Sequence, residues 1–116
     1  MIKKTLCVLA VLSCFFVTTV SAEPTIRVAI YGDSGADGCK LFLPLLKDVS
    51  DIQMEVVNGQ QIRNGALDKF DLIILPGGSG SGQTKSLGSD GVKKVKRFIE
   101  SGKGLIAVGA GAYFTL

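Results

Sequence analysis

The sequence contains no histidine, and it has only three cysteines among its 116 residues. Histidine is the side chain most often used to move protons near neutral pH, so its absence removes the usual general base of a hydrolase. Two of the cysteines, Cys7 and Cys14, lie in an apolar segment at the N-terminus, which leaves Cys39 in the remainder. One thiol can form no internal disulfide, and without histidine it cannot build a structural zinc site. We therefore expect no bound metal, and nothing in the sequence calls for a cofactor.

Residues 1–22 have the pattern of an export signal. Lys3 and Lys4 precede an apolar run over residues 6–20, and Val20-Ser21-Ala22 supplies the small residues typical of a cleavage site. The run is interrupted by polar residues and is shorter than the roughly 20 residues of a membrane helix, so we expect no permanent membrane span. We predict a periplasmic or secreted protein. Cleavage before Cys14, with a lipid anchor on that cysteine, is the alternative.

The rest of the chain, residues 23–116, is short enough for one domain. Residues 1–22 hold two of the 13 basic side chains and none of the 10 acidic ones, so these 94 residues carry a net charge near +1. Such a balance favours neither nucleic acid nor an anionic membrane as a partner. The basic residues 93–97 are interpreted as a solvated helix face.

Segments typical of strands and helices alternate along this domain. Turn signals close most of the strand patterns. Between the first two strands, Leu41, Leu45 and Val49 recur at helical spacing, with Phe42 and Leu46 beside them. One helical turn is expected to end at Gly65, and a later helix to start at a cap on Ser89 or Asp90 and stop at Gly102. The order predicts an α/β fold with a parallel sheet. The predicted strands are residues 26–31, 52–57, 70–75 and 105–108.

Three loops that follow predicted strands are rich in glycine: residues 32–38, 77–82 and 109–111. None is followed by the Gly-Lys-Ser or Gly-Lys-Thr of a phosphate-binding P-loop. Loops after parallel strands meet at one edge of the sheet, and glycines let backbone N–H groups approach a ligand closely. The alternative is that the glycines only make tight turns. The candidate rim for a small anionic or amide ligand consists of Gly77, Gly78, Ser79, Gly109 and Ala110.

An ordered set of motifs carries a resemblance to a known family. Leu75-Pro76-Gly77-Gly78, the helix end over residues 98–104, and Val108-Gly109-Ala110-Gly111-Ala112-Tyr113-Phe114 resemble the class I glutamine amidotransferase-like superfamily. Within it, residues 26–116 are most similar to the biotin-protein ligase N-terminal domain family. The resemblance implies a flavodoxin-like sheet with helices on both faces. It also implies that Gly78 and Ala110 match the backbone N–H donors that hold an oxyanion in catalytic relatives.

Two departures from the superfamily bear on activity. Gly109 stands where catalytic relatives have a cysteine nucleophile, and the chain contains no histidine to act as its base. Nucleophilic amide hydrolysis then has no route through the elbow. The first hypothesis is an exported, non-catalytic domain that binds a ligand or partner at the rim. The second is a fragment or remnant of a longer amide or peptide hydrolase, whose sheet is incomplete at the C-terminus and self-associates through an exposed edge.

A third hypothesis is a hydrolase that uses Cys39. This residue follows the first glycine loop, close to a helix N-terminus that would lower the pKa of its thiol. A small buried thiol is the alternative interpretation. Asp33 and Asp37 in the same loop are candidates for a general base or a cation ligand, or they form the turn itself.

Overall fold

The computed structural model describes residues 24–115, and the predicted signal peptide lies outside them. The core is one four-stranded sheet with all neighbouring strands parallel, in the order β2-β1-β3-β4. The predicted α/β class with a flavodoxin-like parallel sheet is therefore confirmed. The strands are β1 (Ile26–Tyr31), β2 (Ile52–Val57), β3 (Leu72–Leu75) and β4 (Gly104–Ala107).

Helices occupy the connections between the strands. α2 forms where a single helical turn was expected, and it starts with a capping box: Asn58 Oδ1 accepts from Gln61 N, and Gln61 Oε1 accepts from Asn58 N. A 3₁₀ turn follows it that the sequence pattern did not indicate. The helical elements are α1 (Cys39–Leu46), α2 (Gly59–Arg63), the 3₁₀ turn (Ala66–Lys69), α3 (Gly80–Glu100) and α4 (Ala110–Tyr113).

Both faces of the sheet are covered, as expected. Side chains alternate along a strand, so Tyr31 and Ile73 point to one face and Ile30 and Ile74 to the other. The first face packs against buried residues of α2 and α3, including Leu87. The second packs against α1.

α1 packs on the sheet through one of its two adjacent apolar stripes. Leu41 and Leu45 are each 69% exposed, whereas Phe42 and Leu46 pack on the sheet beside the buried Cys39. Two adjacent apolar stripes both satisfy the helical period, and the spacing 39, 42, 46 is the one that faces the strands. Val49 lies beyond the end of the helix at Leu46.

α3 begins nine or ten residues before the predicted cap. Ser79 caps it, because its Oγ accepts from Gly82 N at 3.0 Å. The helical path breaks once, at Gly88, which separates two helical segments. The predicted caps, Ser89 and Asp90, lie at the start of the second segment. The density of glycine favoured a loop, but capping and contacts with the β1 loop stabilise helix there.

Arg63 supports the break in α3. Its Nη1 donates to the carbonyl oxygens of Ser86 at 2.8 Å and Leu87 at 2.7 Å, the last residues before Gly88. These carbonyls end a helical segment, where a cation is favourably placed against the helix dipole. α2 therefore holds the kinked helix over the sheet.

β2 and β4 are the edges of this sheet. β2 alternates exposed and half-buried residues, as predicted for an edge strand. On the other edge, Ile106 in β4 and the adjoining Val108 are each 44% exposed. Self-association through a sheet edge stays a prediction.

The amino ends of three strands meet at Asp71. Its carboxylate accepts from the backbone N of Arg27 at 2.9 Å and from Arg27 Nε at 3.3 Å, and Lys103 Nζ lies 3.8 Å away. Its backbone N donates to Arg27 O, and its O accepts from Gly104 N. The hydrogen bond from the Arg27 backbone, followed by that from the Arg27 side chain, lowers the pKa of Asp71. This residue links β1, β3 and β4.

We predict that Asp71 contributes to acid sensitivity. Because its pKa is lower in the folded chain, its stabilisation is complete above the unfolded pKa of about 3.9 and is lost as pH falls through the folded pKa. Asp71→Asn should therefore flatten the fall in the free energy of unfolding on acidification, measured by urea titration between about pH 6 and pH 2. Asp90→Asn, which removes an exposed carboxylate on α3, is the matched control. Equal slopes in the two variants would contradict the prediction.

Candidate functional site

The candidate site lies at the carboxyl ends of the strands. The order β2-β1-β3-β4 sends the chain to opposite sides after β1 and after β3. At such a reversal the two loops diverge and leave a crevice, where ligands of open α/β sheets bind. The loops at this point are residues 32–38 after β1 and residues 76–79 after β3.

These two loops are hydrogen-bonded to each other. Ser79 N donates to Gly35 O at 2.8 Å, and Gly38 N donates to Gly77 O at 2.9 Å. The approach is so close that a Cβ on Gly78 would collide with Gly35 O, and Gly78 has a φ of +144° that side chains disfavour. Position 78 therefore requires glycine, because the two loops pack too closely for a side chain there.

Gln83 holds the loops from below. Its side chain is fully buried, and its Nε2 donates to Gly35 O at 3.1 Å and Pro76 O at 2.8 Å. Two carbonyl oxygens fix the orientation of the amide, so Oε1 points the other way; it accepts no hydrogen bond from residues 24–115. No motif in the sequence indicated Gln83, which lies between the glycine-rich loop 77–82 and the helix start expected at Ser89 or Asp90.

A buried tyrosine supports the β1 loop. The hydroxyl of Tyr31 is hydrogen-bonded to Ser86 Oγ, which also lies 2.9 Å from Ser34 O and 3.1 Å from Gln83 O. The single hydroxyl hydrogen of Ser86 goes to one of these carbonyls, so Tyr31 is the donor to Ser86. Burial raises the pKa of Tyr31, and the phenol is neutral at ordinary pH. This chain connects β1, its loop and α3.

Asp33 is engaged in turn and cap contacts. Its Oδ1 accepts from Ser34 N at 2.7 Å and its Oδ2 from Gly59 N at 2.9 Å, at the start of α2. These bonds are those of a turn residue that also caps a neighbouring helix. Asp37 lies exposed in the same loop.

The third loop forms a sharp strand-to-helix elbow at Gly109. Val108 N donates to Leu75 O at 2.9 Å, and α4 starts at once with Gly111 N donating to Val108 O. Gly109 has φ +52° and ψ −118°, a conformation that glycine adopts freely and other residues disfavour, and that is found where an elbow presents a nucleophile. A Cβ built there has no atom within 4 Å. The elbow would aim a side chain into open space, but glycine supplies none.

The elbow lies against the loop that follows β3. A Cβ on Gly111 would collide with Leu75 O, and one on Gly80 would lie 3.2 Å from Ala110 O. A Cβ on Gly77 would lie 3.8 Å from Val108 O. The structure therefore brings together the two segments that contain the predicted rim.

The backbone donors of the rim are not equivalent. Ser79 N is occupied by Gly35 O, whereas the amides of the other four rim residues have no acceptor among residues 24–115. Of these four, the N–H groups of Gly78 and Ala110 are the two that the family resemblance assigns to the oxygen of a carboxylate, an amide or an oxyanion. The binding roles of the five rim residues stay predictions.

Cys39 is the first residue of α1 and is 8% exposed. Burial raises the pKa of its thiol, contrary to the lowering expected from a helix N-terminus. Desolvation of the thiolate outweighs the helix end here, so the thiol is largely protonated at neutral pH. A role as a reactive thiol stays a prediction.

Residues 24–115 contain no cluster of three or more histidine, cysteine or acidic side chains arranged to hold a metal ion. Within the same range, no helix has both the length and the apolar character needed to cross a bilayer.

The parallel sheet, the hydrogen-bonded loops after β1 and β3, and the elbow after β4 define a flavodoxin-like α/β domain. The sequence model of the family described as "Biotin-protein ligase, N terminal" matches residues 37–116, and the chain belongs to this family. The match includes the Pro-Gly-Gly loop and the elbow, whereas β1 precedes it. Comparison with curated proteins and with solved structures gave no significant match.

We predict that Gln83→Leu destabilises the fold. The change leaves the buried carbonyl oxygen of Pro76 without its donor, which costs about 1–3 kcal/mol in the free energy of unfolding. Gln60→Leu, on the exposed side of α2, is the control and should change stability by less than about 0.5 kcal/mol. Urea titrations measure both values. Equal stabilities would show that the Gln83 contacts are dispensable.

A second prediction compares two thiols. In a Cys7→Ser, Cys14→Ser background, Cys39 should react with a maleimide far more slowly in the folded chain than in urea, because it is buried and protonated. Gly109→Cys in a Cys39→Ser chain should react at the rate of an exposed thiol, since its Cβ faces open space. Mass spectrometry follows both reactions over time. Rapid labelling of Cys39 in the folded chain would support the third hypothesis of a reactive thiol.

Proposed function

We propose that this chain is an exported, non-catalytic domain of the class I amidotransferase-like type that binds a small anionic or amide ligand at the rim of its glycine loops. The rim consists of Gly77, Gly78, Ser79, Gly109 and Ala110. The observation that carries the proposal is the elbow at Gly109: the backbone forms the sharp strand-to-helix turn, while the residue at its apex has no side chain to act as a nucleophile.

The lack of catalysis is argued from the residues. Acyl transfer at this elbow needs a nucleophile and a base within hydrogen-bond reach. Glycine stands at the apex, and the 116 residues include no histidine. The thiol of Cys39, the first residue of α1, is buried between that helix and the sheet. A preformed pair of N–H donors without a nucleophile binds an oxygen and leaves it unchanged.

The chemistry of the ligand follows from the donors. The amides of Gly78 and Ala110 are neutral N–H donors, so they donate to either a carboxylate or an amide carbonyl oxygen. A carboxylate forms the stronger, charge-assisted bonds. We therefore rank small carboxylates above amides as ligands of the rim.

Removal of one donor tests the proposal. Ala110 is the first residue of α4, where proline is well tolerated, and its N–H has no acceptor among residues 24–115. Ala110→Pro should thus keep the fold and delete a single ligand bond. We expect the affinity for acetate or acetamide, measured by NMR titration, to fall about tenfold or more.

Ala110→Gly is the control, because it changes the same residue but keeps the N–H. It should bind within about twofold of the parent. No shifts at residues 77–79 and 109–110 with either ligand would contradict the proposed site. Equal binding by the proline and glycine variants would contradict the role of the Ala110 amide.

Export is proposed from the N-terminal pattern, which lies outside the described residues. The chain, expressed from Met1 in a Gram-negative host, should be recovered from the periplasm or medium with Glu23 as its first residue, as read by mass spectrometry. Lys3→Glu with Lys4→Glu should slow processing, because the basic start directs insertion. An intact Met1 in the cytoplasm would contradict export, and a lipidated Cys14 would support the anchored alternative.

A further inference from the structure

A second concave surface lies at the opposite end of the sheet from the rim. It is a cleft of about 350 Å³ between α3, the 3₁₀ turn and the segment before β4. Lys103 immediately precedes β4 and Asp68 precedes β3, so the cleft lies by the amino ends of the strands. The rim lies by their carboxyl ends, and the two sites are separate.

The cleft has an apolar floor. Leu67 and Phe98, which are 4% and 8% exposed, present their outer edges to it, and the third apolar residue, Ile62, is fully buried. Ligand sites of proteins are commonly concave, with apolar walls and a few polar groups that orient the ligand. The volume suits a molecule with one or two rings.

Basic side chains surround this floor. Lys94 and Arg97 lie one turn apart on α3, and Lys103 faces them, while Asp68 supplies one carboxylate. Lys103 is partly engaged by Asp71 at 3.8 Å. Lys94 and Arg97 form no ion pair with any residue in the range 24–115.

The two unpaired cations, Lys94 and Arg97, are spaced so that both can bind one anionic group. Side chains three residues apart on a helix are neighbours on one face, so both reach the same anion. Lys93 and Lys96 of the same helix do not line the cleft. The basic helix, interpreted from the sequence as a solvated face, thus has a second, cleft-lining side.

We propose that this cleft binds a small organic anion that joins an apolar ring to a carboxylate, sulfonate or phosphate. The ring lies over the accessible edges of Leu67 and Phe98, and the anionic group is held by Lys94 and Arg97. Neither part suffices alone: the exposed cations hold a bare anion weakly, and the floor is too small to hold an uncharged ring tightly.

Three probes of the full chain separate these contributions. Benzoate carries both parts, benzyl alcohol only the ring, and acetate only the charge. We expect benzoate to shift the amide resonances of residues 65–68 and 94–103, with an affinity about tenfold above that of either other probe. Equal binding of acetate and benzoate, or of benzyl alcohol and benzoate, overturns the proposal, as does the absence of shifts in the cleft.

A matched pair of variants tests the cations. Lys94→Gln with Arg97→Gln should weaken benzoate about tenfold. Lys93→Gln with Lys96→Gln changes the net charge of the same helix equally and should leave the affinity within about twofold. Equal losses in both pairs would assign the effect to overall charge and overturn the site. The comparison of probes on the parent chain decides the question even if a variant fails to fold.

Discussion

The buried amide of Gln83 is the contact on which the arrangement of the candidate site depends. Its Nε2 bonds the carbonyl oxygens of Gly35 and Pro76, which belong to the loops after β1 and β3. In an open parallel sheet these loops leave in opposite directions, so a crosslink is needed to hold them together. Ser79 N and Gly38 N complete it with backbone bonds between the same loops. A buried amide with both donors satisfied is costly to displace.

The position of the elbow depends on this crosslink. Pro76 is held by Gln83, and Gly111 at the start of α4 lies against the carbonyl oxygen of Leu75, the residue before Pro76. The bond from Val108 N to Leu75 O continues the pairing of β3 with β4 up to the turn. Contacts of Val108 and Gly111 with Leu75 thus fix the turn at Gly109, and the free amides of Gly78 and Ala110 lie on adjoining segments.

Much of the fold follows from sequence pattern, because strand signals and buried periodicity are local. β1 and β2 have their predicted bounds, and the core of β3 was recognised as a buried strand. The predicted cap at Ser89 or Asp90 matches the second segment of α3, but the first segment was missed, since Gly80 and Gly82 disfavour helix locally and the Ser79 cap and contacts with the β1 loop stabilise it. The buried side of α1 was left open by the sequence, because two apolar stripes compete and the sheet selects one. The residues of the candidate rim could be proposed from sequence motifs. Gln83 and Tyr31 could not, because they act through contacts with residues about 50 positions away.

The central claim is that the β1 and β3 loops are hydrogen-bonded to each other while the rim amides of Gly78 and Ala110 remain free. Residue-resolved amide hydrogen exchange tests this claim most directly. The account predicts protected amides at Gly38 and Ser79, comparable with those of β3, and rapid exchange at Gly78 and Ala110. Adjacent residues 78 and 79 should thus differ strongly, although both lie in one exposed loop. Rapid exchange at Ser79 and Gly38 would show that the crosslink is absent. Protection of Gly78 and Ala110 would show that their donors are already occupied, and the proposed rim could not bind through them.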